Sequence, residues 1–559
     1  MYSRNNISGS SNHRREARKR NWTVMVIIIL MFSFLLWKCV YNMYIKGPDR
    51  KAMADAQYTI DEKYGLQYSL TDCKDNPLLD YNINYYAIID PLDYFRFNEY
   101  TSKYDMQALT FILRNYNSNY DLHKINGSGN GQKIKYKIDE ETYDKLKDIK
   151  GVKGFYAYAA NEVTRDKIWK IENLLSNPKY YKEGVKDPIF KSPNSLEMQI
   201  YNKTKNNEFT KIRFLKGVDG EISEGKIIEP ENNINVKLTL DKELQDSVEG
   251  ILHEDKYKKY DQIGVVLMES STGKIRAMAQ KNDSTSNANL CNGFFAGSIF
   301  KVIVEEAGID LKLIDKDKTI AVKGNIFKKA DKHKIGYEYT LSEALSDSSN
   351  DIFAQLGWKI GIENMYDYAR KQGLFSKVLN FEQEQSGKLE VDLSSPKIED
   401  TSFTSIGQTA RITPLQAISI PNTIINNGIY VQPTIIDSFL KGDKEILEKI
   451  ISKTSRVLKS ETAETIKLHM MDVVKTGTGK QAYIKDMNIG GKTGTTSYKD
   501  KEKTKSDGWF VGFFHWKGKN YSMVVFVNNI GMNVNGIADE EGGGTAAPIF
   551  KEVVNALKK

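Results

Sequence analysis

Three short strings carry the groups that a stepwise acyl transfer needs: Ser298-Ile-Phe-Lys301, Ser348-Ser-Asn350 and Lys492-Thr-Gly494. A serine hydroxyl is a weak nucleophile near neutral pH and requires a base beside it. A lysine amine removed from water disfavours its charge and can take that proton. Residues at i and i+3 share a helix face, so Lys301 is expected next to the Ser298 hydroxyl, and the helix N-terminus favours negative charge developing there. In the second string, Ser348 reads as a proton relay between nucleophile and leaving group, and the Asn350 amide as a holder of a substrate carbonyl. In the third, Lys492 with the Thr493 and Thr495 hydroxyls suits a carboxylate.

Each string also has a plainer reading. Serine precedes lysine by three positions at Ser176/Lys179, Ser271/Lys274 and Ser394/Lys397 as well. The first and last of these carry proline before the lysine, and Ser271-Thr-Gly-Lys274 reads as a hairpin turn between two strands, so none should be helical. Ser298 instead opens the run Ile299, Phe300, Val302, Ile303, Val304 and Ala307, expected to be a buried helix. The Ser-Asp-Ser-Ser-Asn350 knot could be no more than a polar turn between two helices. Lys475-Thr-Gly477 competes with Lys492-Thr-Gly494, but it ends a helical stretch and its glycine reads as a C-cap. Glycines inside the strand around Lys492 let a ligand or another backbone come close.

The elements that must position these groups follow from pattern. Strand-like runs cluster at 262–280 and 487–528, whereas 298–475 is mainly helical. A terminal helix is expected to start at Pro548.

With those three ordered strings, the chain resembles the penicillin-binding proteins, serine D,D-transpeptidases that share a fold with serine β-lactamases. Further strings extend the resemblance: Leu238-Thr-Leu-Asp-Lys-Glu-Leu-Gln245, Gly264 to Ala277, Ser405-Ile-Gly-Gln408 through Thr413-Pro-Leu-Gln416, Asn427-Gly428, Gly508-Trp-Phe-Val-Gly512 and Ala547-Pro-Ile-Phe550. Ala296 stands where the family often has proline. Thr71 to Leu79 resembles an earlier landmark but lacks its usual arginine and glycine.

The resemblance implies an α+β fold: an antiparallel sheet flanked by helices and enclosing a helical subdomain, preceded by a mixed pedestal domain and one transmembrane helix. It implies catalysis by Ser298, Lys301 and Ser348, with Asn350, Lys492, Thr493 and Thr495 binding substrate and the Ser298 and Thr495 N–H groups forming an oxyanion hole. The substrates implied are peptidoglycan stem peptides, with β-lactams as covalent inhibitors and no cofactor. Glu399-Asp-Thr-Ser-Phe403 alone approaches a glycosyltransferase string and lacks its histidine, which points to a monofunctional class B member. A polytopic glycan polymerase is the expected partner. Rival functions are a D,D-carboxypeptidase or β-lactamase, which would use the same motifs, and a non-catalytic membrane scaffold or β-lactam sensor.

The rest of the 559 residues is bounded by composition. Trp22 to Trp37 contains no charge, and extension to Tyr41 gives about 20 residues, or about 30 Å of helix, enough for a bilayer core. Arg4, Arg14, Arg15, Arg18, Lys19 and Arg20 precede it against Glu16 alone. The expectation is a cytoplasmic N-terminus, an extracytoplasmic catalytic domain and a bacterial cell-membrane location, with no nucleic-acid role for the basic tail. The expected divisions are a tail at 1–21, a membrane helix at 22–41, a linker at 42–66, a non-catalytic pedestal at 67–235 and a transpeptidase domain at 236–559. Three cysteines, Cys39, Cys73 and Cys291, exclude a disulfide framework. Cys291, His333 and Asp347 are the one zinc combination considered, and no metal site is expected.

Overall fold

The computed structural model describes residues 9–46, 59–125, 132–164, 170–182, 184–260, 262–281, 289–324, 327, 332–500, 503–531 and 540–558. Residues 1–8 of the basic tail and 47–58 of the expected linker lie outside them.

Near the N-terminus, α1 (Gly9–Val40) contains the apolar run and continues into a wide turn at Tyr41–Ile45. The segment Arg15–Ile45 is long and apolar enough to cross a membrane, and none of its most apolar window is buried against the protein. Trp37 stacks on Tyr41 at 5.5 Å, placing two amphipathic rings at the end of that run.

The chain forms two compact units that interleave in sequence. The smaller takes residues 1–65, 82–162 and 209–229, and the larger 66–81, 163–208 and 230–559. Segments 66–81 and 163–208, which lie before position 235, therefore belong to the larger unit.

The smaller unit contains two three-stranded sheets. One orders its strands β1 (Thr59–Tyr64), β5 (Thr210–Leu215), β6 (Lys226–Ile228); the other orders them β3 (Ile134–Ile138), β2 (Tyr81–Ile89), β4 (Phe155–Val163). Helices α2 (Lys103–Tyr116) and α3 (Glu140–Lys147) supply Leu109, Leu113 and Leu146 to a core shared with Ala87 and Ile89. Asp139 caps α3 by accepting from Thr142 N at 2.9 Å.

The larger unit is built on a five-stranded antiparallel sheet. Its strands are β7 (Gln262–Glu269), β8 (Lys274–Gln280), β9 (Ile489–Asp500), β10 (Lys503–Trp516) and β11 (Lys519–Asn528), in spatial order β8-β7-β11-β10-β9. Side chains alternate across each strand. Phe510 and Phe514 of β10 pack with α4 (Lys242–Leu252) and α9 (Gly542–Lys558) on one face. Trp509, Val511 and Phe513 turn to the other face, into the core of the helical region. Both faces are covered, which explains the nearly unbroken apolar runs in these strands.

The helical region carries α5 (Lys301–Asp310), α6 (Leu341–Ser346), α7 (Asn350–Ile360) and α8 (Ser460–Lys475). Thr340 and Glu343 close a reciprocal capping box on α6, and the Ser349 hydroxyl caps α7 from Ile352 N at 3.2 Å. The antiparallel sheet with flanking helices and helical subdomain agrees with the expected α+β class.

Two local expectations are corrected. The terminal helix α9 begins at Gly542, with Pro548 inside it rather than at its start. Proline there lacks the N–H that would bond to the carbonyl of residue 544, so the helix gives up one bond in its interior. Gly477 stands one residue past the C-cap Thr476, where a left-handed glycine would close the helix, but its φ is not positive. What excludes a side chain at 477 is proximity: a Cβ there would stand 2.5 Å from Ser346 O.

Candidate active site

Ser298 sits in a tight 3-10 turn, Gly297–Phe300, and the α-helix proper starts at Lys301. The expected α-helical start is thus one 3-10 turn, but residues i and i+3 share a face in either geometry, so the Ser298/Lys301 spacing keeps its meaning. Gly297 makes the turn possible. Its φ is +56°, and a Cβ on it would fall 2.4 Å from Thr496 Cγ2 and 3.2 Å from Thr495 O. Its N–H donates to Gly407 O at 2.9 Å, so the Ser405-Ile-Gly-Gln408 string braces the turn from behind. Ser298 therefore lies against strand β9 beside Thr495, half-buried.

Lys301 is fully buried at the first turn of α5. Its Nζ donates to Ser348 O at 2.6 Å, Asn350 Oδ1 at 2.7 Å and Ser348 Oγ at 3.2 Å, contacts that offset the cost of removing an amine from water. Ser348 adopts φ +56°, an uncommon conformation for a residue with a side chain. That conformation reverses the chain between α6 and α7 and aims both the carbonyl and the hydroxyl of Ser348 at Lys301. Strain of this kind persists where the surroundings over-determine it.

Lys492 approaches Ser348 from the sheet. Its Nζ lies 2.9 Å from Ser348 Oγ and 3.0 Å from Thr493 O, and the residue is fully buried. The Ser348 hydroxyl is thereby held between two lysine amines, one from each wall. Burial pushes the Lys492 amine down from 10.5 to about 7, with the Glu541 carboxylate opposing the shift. Lys475, in the competing string, is exposed at the end of α8.

The structure brings Lys301, Ser348, Asn350 and Lys492 into one hydrogen-bonded group. Ser298 joins it through the turn and helix start, and Thr493 and Thr495 through β9. The Thr495 hydroxyl accepts from Gly542 N at 3.0 Å. A cavity of about 620 Å³ opens beside Asn350, lined also by Phe295, Gln408, Thr409, Arg411 and Tyr498. Among the described residues no group of three or more His, Cys, Asp or Glu is arranged to hold a metal. Cys291 is wholly buried, with burial raising its thiol, while His333 Nε2 lies 3.4 Å from Asp347 Oδ2.

Sequence reasoning did not single out Thr478, whose Oγ1 is 2.7 Å from Thr493 Oγ1. The signal was available: Lys475-Thr-Gly-Thr478 repeats the four letters of Lys492-Thr-Gly-Thr495. Also unread were the links of α8 to the other walls. His469 on α8 bonds Glu305 on α5, and Asp472 Oδ2 accepts from Ser342 Oγ on α6 at 2.7 Å.

The Lys492 environment has a consequence for stability. Between about pH 7 and 10.5 the unfolded chain holds a proton that the native amine has shed, so stability rises with pH across that window; below it both states are protonated and the slope vanishes. The unfolding free energy of wild type minus that of Lys492→Met is expected to climb by several kcal/mol, at about 1.4 kcal/mol per pH unit. Denaturant titrations at steps from pH 6 to 10 check this, and parallel curves for the two proteins would refute it.

Comparison with known proteins places the chain. The penicillin binding protein transpeptidase domain model matches residues 263–555, more than half of the sequence, and the chain belongs to that family. Penicillin-binding protein PbpB of Mycolicibacterium smegmatis is 26% identical over 62% of this chain and 58% of its own length. Stage V sporulation protein D of Bacillus subtilis is 27% identical over 58% and 53% respectively, so this chain spans a little over half the length of these two relatives. The peptidoglycan D,D-transpeptidase FtsI homolog of Mesostigma viride aligns over 96% of this chain and 95% of that one at 21% identity. Among solved structures, a peptidoglycan synthetase from Bifidobacterium adolescentis superposes with a TM-score of 0.62, 19% identity, and coverage of 89% of this chain and 96% of that one. At that identity the likeness establishes the fold.

Proposed function

We propose that this protein is a membrane-anchored serine D,D-transpeptidase that cross-links peptidoglycan stem peptides through an acyl-enzyme. The observation that carries the reading is the Ser348 hydroxyl suspended between Lys301 Nζ at 3.2 Å and Lys492 Nζ at 2.9 Å, beside the turn that presents Ser298.

Ser298 Oγ attacks the carbonyl carbon of the penultimate D-alanine, and its proton passes to Lys301 acting as the free amine. The tetrahedral oxyanion is held by the Ser298 and Thr495 N–H groups, where one such donor is worth about 3 kcal/mol. As the C–N bond breaks, Ser348 hands a proton to the departing D-alanine amine and is reprotonated through the lysine pair. An acceptor amine from a neighbouring strand then attacks the ester carbonyl, and its proton returns Ser298 to the hydroxyl form. Asn350 holds the donor peptide through its amide, and Lys492, Thr493 and Thr495 hold its terminal carboxylate.

The remaining assignments rest on the same reading. The smaller unit serves as a non-catalytic pedestal, α1 anchors the chain with its basic N-terminus in the cytoplasm, and a membrane-embedded glycan polymerase supplies the strands. The apolar run in α1 and the positive residues that precede that run, most of them in the first turns of the same helix, support the anchor and its orientation.

Intact-mass measurement of the purified protein with and without benzylpenicillin tests the function. One stable penicilloyl adduct is expected, mapping to the peptide that contains Ser298. No adduct, or rapid release of hydrolysed drug, would overturn it.

A further inference from the structure

We propose that Thr478 is a positioning residue for the carboxylate site, its hydroxyl orienting that of Thr493 toward an incoming ligand. The inference rests on the transpeptidase reading above and extends it to a residue outside the three strings.

The two hydroxyl oxygens lie 2.7 Å apart, the ordinary separation of an O–H···O bond. Either can be the donor, and a ligand decides which. A hydroxyl has one hydrogen and two lone pairs, whereas an ionised carboxylate only accepts. Thr493 can therefore meet a carboxylate only by giving it its single hydrogen. That hydrogen is available only when Thr478 donates and Thr493 accepts. Thr493 is 6% exposed, so little water competes to set its orientation.

The neighbouring threonine shows the same arrangement with no ambiguity. Thr495 Oγ1 accepts from the Gly542 N–H, and a backbone N–H can only donate. The Thr495 hydrogen is thus left for another acceptor. Thr478 does for Thr493 what Gly542 does for Thr495, and the two hydroxyls present donors along one strand.

Thr478 is itself held firmly. Its N–H donates to Ser346 O at 3.1 Å, and the Gly477 N–H to Asp472 O at 3.2 Å. Asp472 bonds Ser342 on α6, and His469 on the same helix bonds Glu305 on α5. Helix α8 thereby fixes Thr478 relative to the elements that carry Lys301 and precede Ser348. The place of the Thr478 oxygen is thus set before a ligand arrives, and the ligand fixes only the direction of its hydrogen.

The test uses the full chain and two probes, benzylpenicillin with its free carboxylate and the corresponding methyl ester. Thr478→Val is nearly isosteric and removes only the hydroxyl; Thr478→Ser keeps it. Acylation by the free acid is expected to slow about tenfold in Thr478→Val, mainly through weaker binding before the chemical step. Acylation by the ester should be unchanged, and Thr478→Ser should restore the acid. Equal losses for acid and ester, or no loss with the acid, would overturn the proposal. A wild-type protein that neither probe acylates would instead remove the transpeptidase reading, and this inference with it.

Discussion

Ser298→Ala is expected to lose covalent labelling by fluorescent penicillin entirely while the protein stays folded. Removing the nucleophile of a serine acyltransferase costs on the order of 10⁴-fold or more in rate, because no other group can form the acyl bond. The structural cost should be small. Ser298 is half-buried in a short turn that is held by the Gly297 backbone and by packing of Ile299 and Phe300, both fully buried, not by its own hydroxyl. A substitution of this kind usually shifts stability by about 0.5 kcal/mol or less. The thermal midpoint should therefore match wild type when gel fluorescence shows no band. Labelling that persists in the variant would reject Ser298 as the nucleophile whatever the rest of the site does.

Lys301→Met separates base catalysis from positioning. Loss of a general base typically costs about 10²–10⁴-fold, so acylation should become slow but remain on Ser298 at high drug concentration. This variant carries a stability penalty as well, since Ser348 O and Asn350 Oδ1 each lose a donor within 2.7 Å and are only partly open to water, which can replace it in part. Unsatisfied buried acceptors cost about 1–3 kcal/mol each, offset in part because the amine no longer has to be buried. Both acceptors are half-buried, so a fall of about 1–2 kcal/mol in unfolding free energy is expected. Stopped-flow acylation at a temperature where both proteins are folded decides the matter. A variant that acylates at the wild-type rate would exclude Lys301 as the base.

The strings around Ser298, Ser348 and Lys492 were legible because each combines a reactive group with a local conformational signal. The apolar run after Ser298 announces a buried helix, the polar knot at Ser346 to Asn350 a break between helices, and the glycines flanking Lys492 a strand open to close approach. The choice of Lys492 over Lys475 rested on that context, and burial separates the two in the structure as well. Short-range signals also misled. Pro548 reads as a helix start because proline suits a first turn, yet tertiary packing of Ala546, Ala547 and Ile549 carries α9 six residues further back. The apolar run at Ser298 suggests an α-helix from its first residue, but the left-handed Gly297 and its approach to Thr496 tighten that first turn into a 3-10 one.

The order of chemical groups along the chain, the membrane-length apolar helix and the alternation of sheet and helical segments were all determined by sequence alone, because each depends on neighbours a few residues apart. Only the tertiary structure decided that two lysines 191 positions apart share one serine hydroxyl, that Ser348 takes a left-handed conformation to face them, and that Thr478 stands against Thr493. Those facts depend on distances of about 3 Å between segments whose separation in sequence carries no length scale. The packing of α5, α8 and the sheet sets them, and no local pattern encodes it.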